Sequence, residues 1–130
     1  MKASSYVGEA VTILSALDRD EMERLADELK FLRERKGRLF IIGLGGSAAN
    51  ASHAVNDFRK LCAIEAFAPT DNVAELTARA NDEGLHTIFF NKFWTANDSL
   101  FVLSVGGGTL NISFSLCLAV DRAKAIGMPI

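Results

Sequence analysis

Two side chains that can perform acid–base or metal chemistry stand close together near the middle of the chain. His53 and Asp57 are four residues apart in a segment, residues 47–61, whose periodicity predicts a helix. Side chains at i and i+4 of a helix project side by side, so this imidazole and carboxylate can share one metal ion, or one can orient the other. The same pair is also common on a solvated helix face. Its position after a glycine-rich loop favours a functional role.

The remaining residues of this helix predict which way the pair faces. Ala51, Val55 and Phe58 form a narrow apolar stripe that is expected to face the core. His53 and Asp57 fall on the opposite side, so His53 is not expected to be a core histidine.

Two glycine clusters each follow an apolar segment that is predicted to be a strand. Residues 43–47 read GLGGS and residues 104–109 read SVGGGT. In open α/β sheets ligands bind beyond the carboxyl ends of the strands, and the N-terminus of the following helix favours an anion such as phosphate. Hydroxyl groups of Ser47, Ser104 and Thr109 can add hydrogen bonds. Glycines can also serve only to make a tight turn, but two such loops in one small domain favour a phosphate-bearing ligand.

A dinucleotide site is an alternative interpretation of the first loop. Residues 43–48 satisfy G-x-G-x-x-A, and Glu65 follows about twenty residues later, where such folds place an acidic residue. The segment before Glu65 is short and weakly apolar for a strand, and a dinucleotide fold does not require the second glycine loop. The chain contains no G-x-x-x-x-G-K-[ST] motif, so it is not a P-loop nucleotide-binding protein.

The periodicity of the chain predicts an α/β fold, a parallel sheet flanked by helices in three layers. The predicted helices cover residues 3–16, 18–36, 47–61, 71–80, 85–95 and 110–126. The predicted strands cover residues 38–43, 62–68 and 100–104, and residues 128–130 resemble the beginning of another strand. Asn72 and Glu75 have the spacing of a capping box, and residues 81–84 (NDEG) are expected to form a turn.

The composition indicates one domain and excludes several classes of protein. The chain has 130 residues and a formal charge of −2, without a basic stripe, so nucleic acid is not an expected partner. It has neither an apolar run of membrane-spanning length nor an evident signal peptide, so we expect no membrane partner. Cys62 and Cys117 have no metal-ligand spacing and are expected to be packing residues in a reducing compartment, which makes the protein cytoplasmic.

Three of these stretches together resemble one known family. The run GLGGSAANASHAVNDF, the turn NDEG and the loop SVGGGT are similar to the sugar isomerase (SIS) domain family, and most of all to its phosphoheptose (sedoheptulose-7-phosphate) isomerase branch. The resemblance covers nearly the whole chain, including the two leading helices, as a single domain. It implies a homo-oligomer, a dimer or tetramer, that interconverts a ketose phosphate and an aldose phosphate through an enediol.

The resemblance also implies roles for individual residues. His53 matches a metal-binding histidine, and Asp57 matches a glutamate that serves as metal ligand and as catalytic acid–base, so a divalent metal such as zinc is expected and a nucleotide cofactor is not. The loops and the resemblance together indicate a substrate-binding set of Gly45, Gly46, Ser47, Asn81, Asp82, Ser104, Gly106 and Thr109.

The chain departs from the family pattern at several positions. Leu44 stands where the family usually has asparagine, Asp57 is one methylene shorter than glutamate, and Val105 and Gly106 replace two hydroxyl residues of the phosphate loop. The family's further catalytic histidine and glutamine ligand belong to a C-terminal segment that this sequence lacks, and His86 matches no catalytic position. These departures keep a second hypothesis open, a non-catalytic SIS module that acts as an adaptor or senses a phosphosugar.

Overall fold

Three parallel strands form the sheet that carries the two glycine loops. They are β1 (Arg38–Gly43), β2 (Glu65–Phe67) and β3 (Ser99–Leu103), in the spatial order β2-β1-β3. The helices are α1 (Ala3–Ser15), α2 (Arg19–Glu34), α3 (Gly46–Cys62), α4 (Val73–Asp82) and α5 (Phe114–Ala125). Two short 3-10 turns, Pro69–Asp71 and Leu85–Thr87, complete the regular structure of the residues that the structure describes. The predicted α/β class is therefore confirmed.

The computed structural model describes residues 2–90, 92–109 and 111–130. Their contacts divide the chain into two compact units, residues 1–30 and residues 31–130, and the boundary falls within α2. Within the described residues, no helix is long and apolar enough to cross a lipid bilayer.

The two faces of β1 are covered by different helices. Phe40 and Ile42 belong to a buried cluster that includes Leu116 and Ala119 of α5. Successive side chains of a strand point to opposite faces, so Leu39 and Ile41 face the other layer, where α3 contacts β1. Burial on both faces explains why β1 reads as a continuous apolar run, and its predicted bounds are confirmed.

The second strand is shorter than the segment predicted for it. The sequence predicts a strand over residues 62–68. The observed strand, β2, covers only Glu65–Phe67, because α3 continues through Cys62. The helix ends at Ala63, which has the left-handed φ of +53°. Sequence patterns usually identify such helix ends from glycine or asparagine, and here the residue is alanine.

The prediction of a helix at residues 85–95 is wrong. Only Leu85–Thr87 forms a 3-10 turn, and Phe89 and Trp94 are buried with 1% and 3% exposure. The ring of Trp94 lies 5.6 Å from that of Phe40, so tertiary packing of aromatic side chains determines the path of this segment. Asn91, which belongs to the same prediction, lies outside the described residues.

The helix predicted at residues 110–126 begins later than expected, at Phe114. The hydroxyl of Thr109 accepts hydrogen bonds from the backbone N–H groups of Asn111 and Ile112, at 3.3 and 3.1 Å. Such local side-chain bonds compete with helix formation and hold this stretch as a loop. Leu110 lies outside the described residues.

Three smaller expectations have mixed outcomes. Asn81 and Asp82 are the last residues of α4, so the turn predicted at residues 81–84 is partly helical.

One of the two hydrogen bonds of the predicted capping box is present, because Oδ1 of Asn72 accepts from the N–H of Glu75 at 3.2 Å. Residues 128–130 are not assigned as a strand, although the N–H of Leu100 donates to the Pro129 carbonyl at 2.8 Å.

Candidate functional site

The two glycine loops begin side by side at the carboxyl edge of the sheet. β1 and β3 are parallel neighbours, and Gly43, which opens the first loop, is the register partner of Leu103, which precedes the second. The edge where parallel strands end is where open α/β sheets bind their ligands. The register therefore places both predicted phosphate-binding loops at one site.

The first loop packs closely against the start of α3. Gly45 precedes the helix with a φ of +58°, which an L side chain rarely adopts. A Cβ on Gly43 would lie 2.7 Å from the backbone carbon of Ser47. In the described part of the chain, no hydrogen bond is recorded for the backbone N–H groups of Gly45 and Gly46. Both donors are available to an anion.

The second loop is held by its own hydroxyl groups. The hydroxyl of Ser104 accepts a hydrogen bond from the N–H of Gly107 at 3.1 Å, and that of Thr109 accepts from the N–H of Ile112 at 3.1 Å. A hydroxyl that accepts in this way keeps its own O–H for donation. Ser104, Gly106 and Thr109 are exposed, so these donors can reach a ligand in solution.

A cavity of about 470 Å³ lies between the first loop and the start of α5. This volume is in the range of small-molecule binding sites. One part of its wall is apolar and consists of Leu44, Leu85, Ile88 and Phe114. Leu44 also packs against the buried cluster of the α5 layer, so this wall is continuous with the core.

The rest of the cavity wall is polar. It consists of His86, Asn111, Ser113 and Ser115. Ser115 is 7% exposed, and no hydrogen bond to its hydroxyl is recorded among the described residues. The ring of His86 lies 6.3 Å from that of Phe114, centroid to centroid. Polar groups without internal partners, next to an apolar wall, suit a ligand with both hydroxyl groups and C–H faces.

His53 and Asp57 contact each other, as their spacing predicted. Nε2 of His53 lies 3.3 Å from Oδ2 of Asp57, and the two side chains are 79% and 48% exposed. Ala51 and Val55 are buried, which confirms that α3 turns another face to the core. Neither His53 nor Asp57 lines the cavity between the first loop and the start of α5.

The pair supplies two donor groups for a metal ion, and zinc usually takes at least three from the protein. The described residues contain no group of three histidine, cysteine, aspartate or glutamate side chains that could hold one. The donor set of this chain by itself therefore does not fit a zinc site.

Asn81 and Asp82 lie at the end of α4, both exposed, and the side-chain amide of Asn81 donates to Oδ1 of Asp82 at 2.7 Å. Neither residue lines the cavity between the first loop and the start of α5, although His86, which does, follows them closely in sequence. Leu44 and the residues after the second loop line one cavity together. Asn81 and Asp82 are not part of the wall of that cavity.

Glu65 is in the wrong place for a dinucleotide site. It is the first residue of β2 and pairs in register with Arg38, the first residue of β1. Because the strands are parallel, Glu65 lies at the amino edge of the sheet, whereas the glycine loops lie at the carboxyl edge. A ribose bound at the loops would be out of its reach, so the dinucleotide alternative is not supported.

His86 matches no catalytic position of the family motif, so the sequence alone assigns it no role. Its neighbours in the cavity, Leu44 and Asn111, are distant from it in sequence, and no spacing rule connects them. The sequence signal near it is the glycine at position 84, and the structure shows that this glycine has a φ of +96°. A Cβ there would lie 2.8 Å from Cε1 of His86, so glycine leaves room for the imidazole ring.

Comparison with known proteins gives a consistent result. The chain is 30% identical to the phosphoheptose isomerase of Burkholderia pseudomallei (strain 1710b), over 96% of this chain and 68% of that protein. It is 27% identical to a probable phosphoheptose isomerase of Thermoplasma volcanium, over 98% of this chain and 67% of that protein. No protein-family model matches the chain.

Solved structures match the fold. Phosphoheptose isomerase GmhA from Neisseria gonorrhoeae superposes with a TM-score of 0.78 at 24% identity, over 96% of this chain and 69% of that chain. A phosphoheptose isomerase from Francisella tularensis superposes with a TM-score of 0.81 at 23% identity, over 96% of this chain and 67% of that chain.

Proposed function

The chain belongs to the phosphoheptose isomerase family, and from this membership we propose that it binds a ketose phosphate at its two glycine loops and converts it to the aldose phosphate. The observation that carries the proposal is the register of β1 and β3, which sets both loops side by side at the carboxyl edge of the sheet. The proposed substrate is a sugar phosphate of the sedoheptulose 7-phosphate kind.

The phosphate would be bound chiefly by neutral donors. The N–H groups of Gly45 and Gly46 and the hydroxyls of Ser104 and Thr109 are suited to an anion, because hydrogen bonds to a charged acceptor are the stronger kind. The carbohydrate would extend into the cavity, where apolar Leu44 meets sugar C–H groups and polar residues meet hydroxyls.

The reaction transfers protons between neighbouring carbons by way of an enediol. Asp57 is the proposed base for the carbon-bound proton, which a carboxylate can take up and return. His53 would then orient Asp57 through their 3.3 Å contact. A divalent metal at this pair stays a prediction, and no step of the proposed reaction depends on it. Equilibrium dialysis with zinc tests it: stoichiometric binding that His53→Gln abolishes would confirm the metal, and no binding by the wild type would contradict it.

A homo-oligomer is the proposed assembly. The first unit carries exposed large apolar side chains, among them Tyr6, Val7, Val11 and Leu14. Contiguous exposed apolar surface is typical of protein–protein interfaces. A cytoplasmic location is proposed with it, because Cys62 and Cys117 are both free thiols. Sedimentation of the purified chain tests the assembly, and a monomer at micromolar concentration would contradict it.

Titration calorimetry with sedoheptulose 7-phosphate, together with an assay for the aldose product, tests the function. We expect saturable binding that Ser104→Ala weakens about tenfold, the cost of one hydrogen bond to a charged group. Ser15→Ala in α1 is the matched control and should bind like the wild type. No binding by the wild type, or equal binding by Ser104→Ala, would contradict the proposal.

The non-catalytic alternative is favoured by one observation, the two-donor pair at His53 and Asp57. A sensor or adaptor would bind the sugar phosphate and form no product. Turnover that Asp57→Asn abolishes would exclude this alternative.

A further inference from the structure

Among the described residues, His86 is the only ionisable one that lines the cavity between the first loop and the start of α5. The other seven lining residues are Leu44, Leu85, Ile88, Asn111, Ser113, Phe114 and Ser115. None of these exchanges a proton readily near neutral pH, whereas imidazole is the side chain most often used as acid and base there. If a ligand inside this cavity exchanges a proton with one of these lining side chains, that side chain is His86.

The imidazole ring is held in place without using its nitrogen atoms. It packs near Phe114, with a ring-centroid distance of 6.3 Å and an interplanar angle of 31°. It also lies against the backbone at Gly84, where a Cβ would be 2.9 Å from Nδ1. Across the described residues, no hydrogen bond or ion pair of His86 is recorded, so both ring nitrogens are available to a ligand.

Charged residues line a second cavity that His86 also borders. This cavity has a volume of about 530 Å³, and its charged residues are Glu83, Asp121 and Arg122. The imidazole therefore stands between an uncharged cavity next to the loops and a charged surface cleft. A proton that His86 takes from a ligand can pass on to solvent or to the carboxylate of Glu83 or Asp121, but not to Arg122, which is already protonated.

We infer that His86 contacts the carbohydrate of the bound sugar phosphate and exchanges the oxygen-bound protons during isomerisation. This inference rests on the proposed function, and it assigns a role that the family motif does not give to this position. His86 would donate a proton to the carbonyl oxygen at C2. Asp57 does not line the cavity, so the step requires C1 to project out of it toward α3, where Asp57 removes the C1 proton and the enediol forms.

The second half of the reaction restores both groups. His86 takes the proton from the hydroxyl at C1 while Asp57 returns its proton to C2, which leaves the aldehyde at C1. C1 is oxidised and C2 is reduced by the same two electrons, so the reaction needs no external oxidant or reductant. Protonation of a reacting oxygen by a positioned side chain typically contributes 10²–10⁴-fold to the rate.

The two histidines make the binding part directly testable. A nuclear magnetic resonance spectrum of the imidazole rings contains two sets of signals, which His53→Gln and His86→Gln assign. We expect saturating sedoheptulose 7-phosphate to shift the His86 signals with the same affinity that calorimetry gives. Shifts confined to His53, or binding that moves neither ring, would overturn the inference and leave the proposed function standing.

Kinetics test the catalytic part. His86→Gln keeps a hydrogen-bonding side chain of similar size, so we expect kcat to fall by about 100-fold or more while KM changes much less. Free imidazole should restore part of the activity of His86→Ala, which a purely structural role would not allow. Because His86 is exposed, both variants should unfold at the wild-type temperature.

Three results would count against this role. Unchanged kcat in His86→Gln would contradict the proton exchange proposed for His86. A wild type that binds the sugar phosphate without turning it over would contradict it as well. A wild type that does not bind the sugar phosphate at all removes the proposed function, and the inference falls with it.

Discussion

The buried carboxylate of Asp98 accepts two side-chain hydrogen bonds from Arg38, at 2.9 Å from Nε and 2.8 Å from Nη2. Asp98 is 2% exposed and also accepts from the N–H of Thr95 at 2.8 Å. Arg38 begins β1 and Asp98 directly precedes β3, so the pair joins the amino ends of the two strands whose carboxyl ends carry the glycine loops.

Removing the charge of Asp98 should destabilise the sheet. Asp98→Asn leaves the half-buried guanidinium of Arg38 without a charged partner, and breaking a buried pair in this way costs about 3 kcal/mol of unfolding free energy. Chemical denaturation at pH 7 measures it. Asp121→Asn, an exposed aspartate on α5, is the matched control and should change stability by less than about 0.5 kcal/mol. Equal stability of the two variants would contradict this.

The same pair predicts a pH dependence. Burial of Asp98 favours the protonated form, but the hydrogen bonds from Arg38 and Thr95 outweigh it, so the pKa of Asp98 lies below its ordinary value. A carboxyl group whose pKa is lowered on folding stabilises the fold above its unfolded pKa of about 3.9 and loses that contribution as the pH falls through the folded pKa. The stability difference between wild type and Asp98→Asn should therefore shrink as the pH is lowered from 6 to about 3. A constant difference across this range would refute the assignment.

Gly43 should not tolerate a side chain. A Cβ there would lie 2.7 Å from the backbone carbon of Ser47, so Gly43→Ala must displace the start of α3, at about 2 kcal/mol. Gly46→Ala is the control, since nothing lies within 4 Å of its Cβ and alanine favours a helix. Thermal unfolding should show a lower midpoint for Gly43→Ala and no loss for Gly46→Ala. Similar midpoints for the two variants would mean that the first loop is less constrained than the structure indicates.

Ala63→Gly should stabilise the protein. Ala63 has a φ of +53°, which costs an L residue about 1–2 kcal/mol and costs glycine little. After the greater chain entropy of glycine is subtracted, a gain of about 0.5 kcal/mol in unfolding free energy is expected. Ala54→Gly, in the interior of α3, should instead lose about 1 kcal/mol. A loss at both positions would contradict the left-handed conformation of Ala63.

Val105→Ser should strengthen phosphate binding. Val105 lies in the second loop with its side chain fully exposed, so the substitution loses no packing. A hydroxyl there adds a donor beside Ser104, and one hydrogen bond to a charged acceptor corresponds to about tenfold in affinity. Calorimetry with the sugar phosphate measures the gain, and Val73→Ser, an exposed valine of α4, is the control. Unchanged affinity would place the phosphate away from this part of the loop.

The local sequence determined the elements that depend on short-range patterns. The apolar run of β1 predicted its bounds, because burial on both faces needs a continuous apolar strand. The glycine clusters predicted both loops, and the spacing of His53 and Asp57 predicted their contact, since i and i+4 are adjacent on any helix.

Only the tertiary structure decided which residues meet across the sheet. The position of Glu65 at the amino edge depends on α3 continuing to Cys62 and ending at a left-handed alanine, which no common capping signal indicates. The path of residues 88–90 and 92–98 is set by the burial of Phe89 and Trp94 and not by helical periodicity. The cavity that joins Leu44, His86 and Asn111 exists because β1 and β3 pair in register, a long-range relationship that local propensities do not encode.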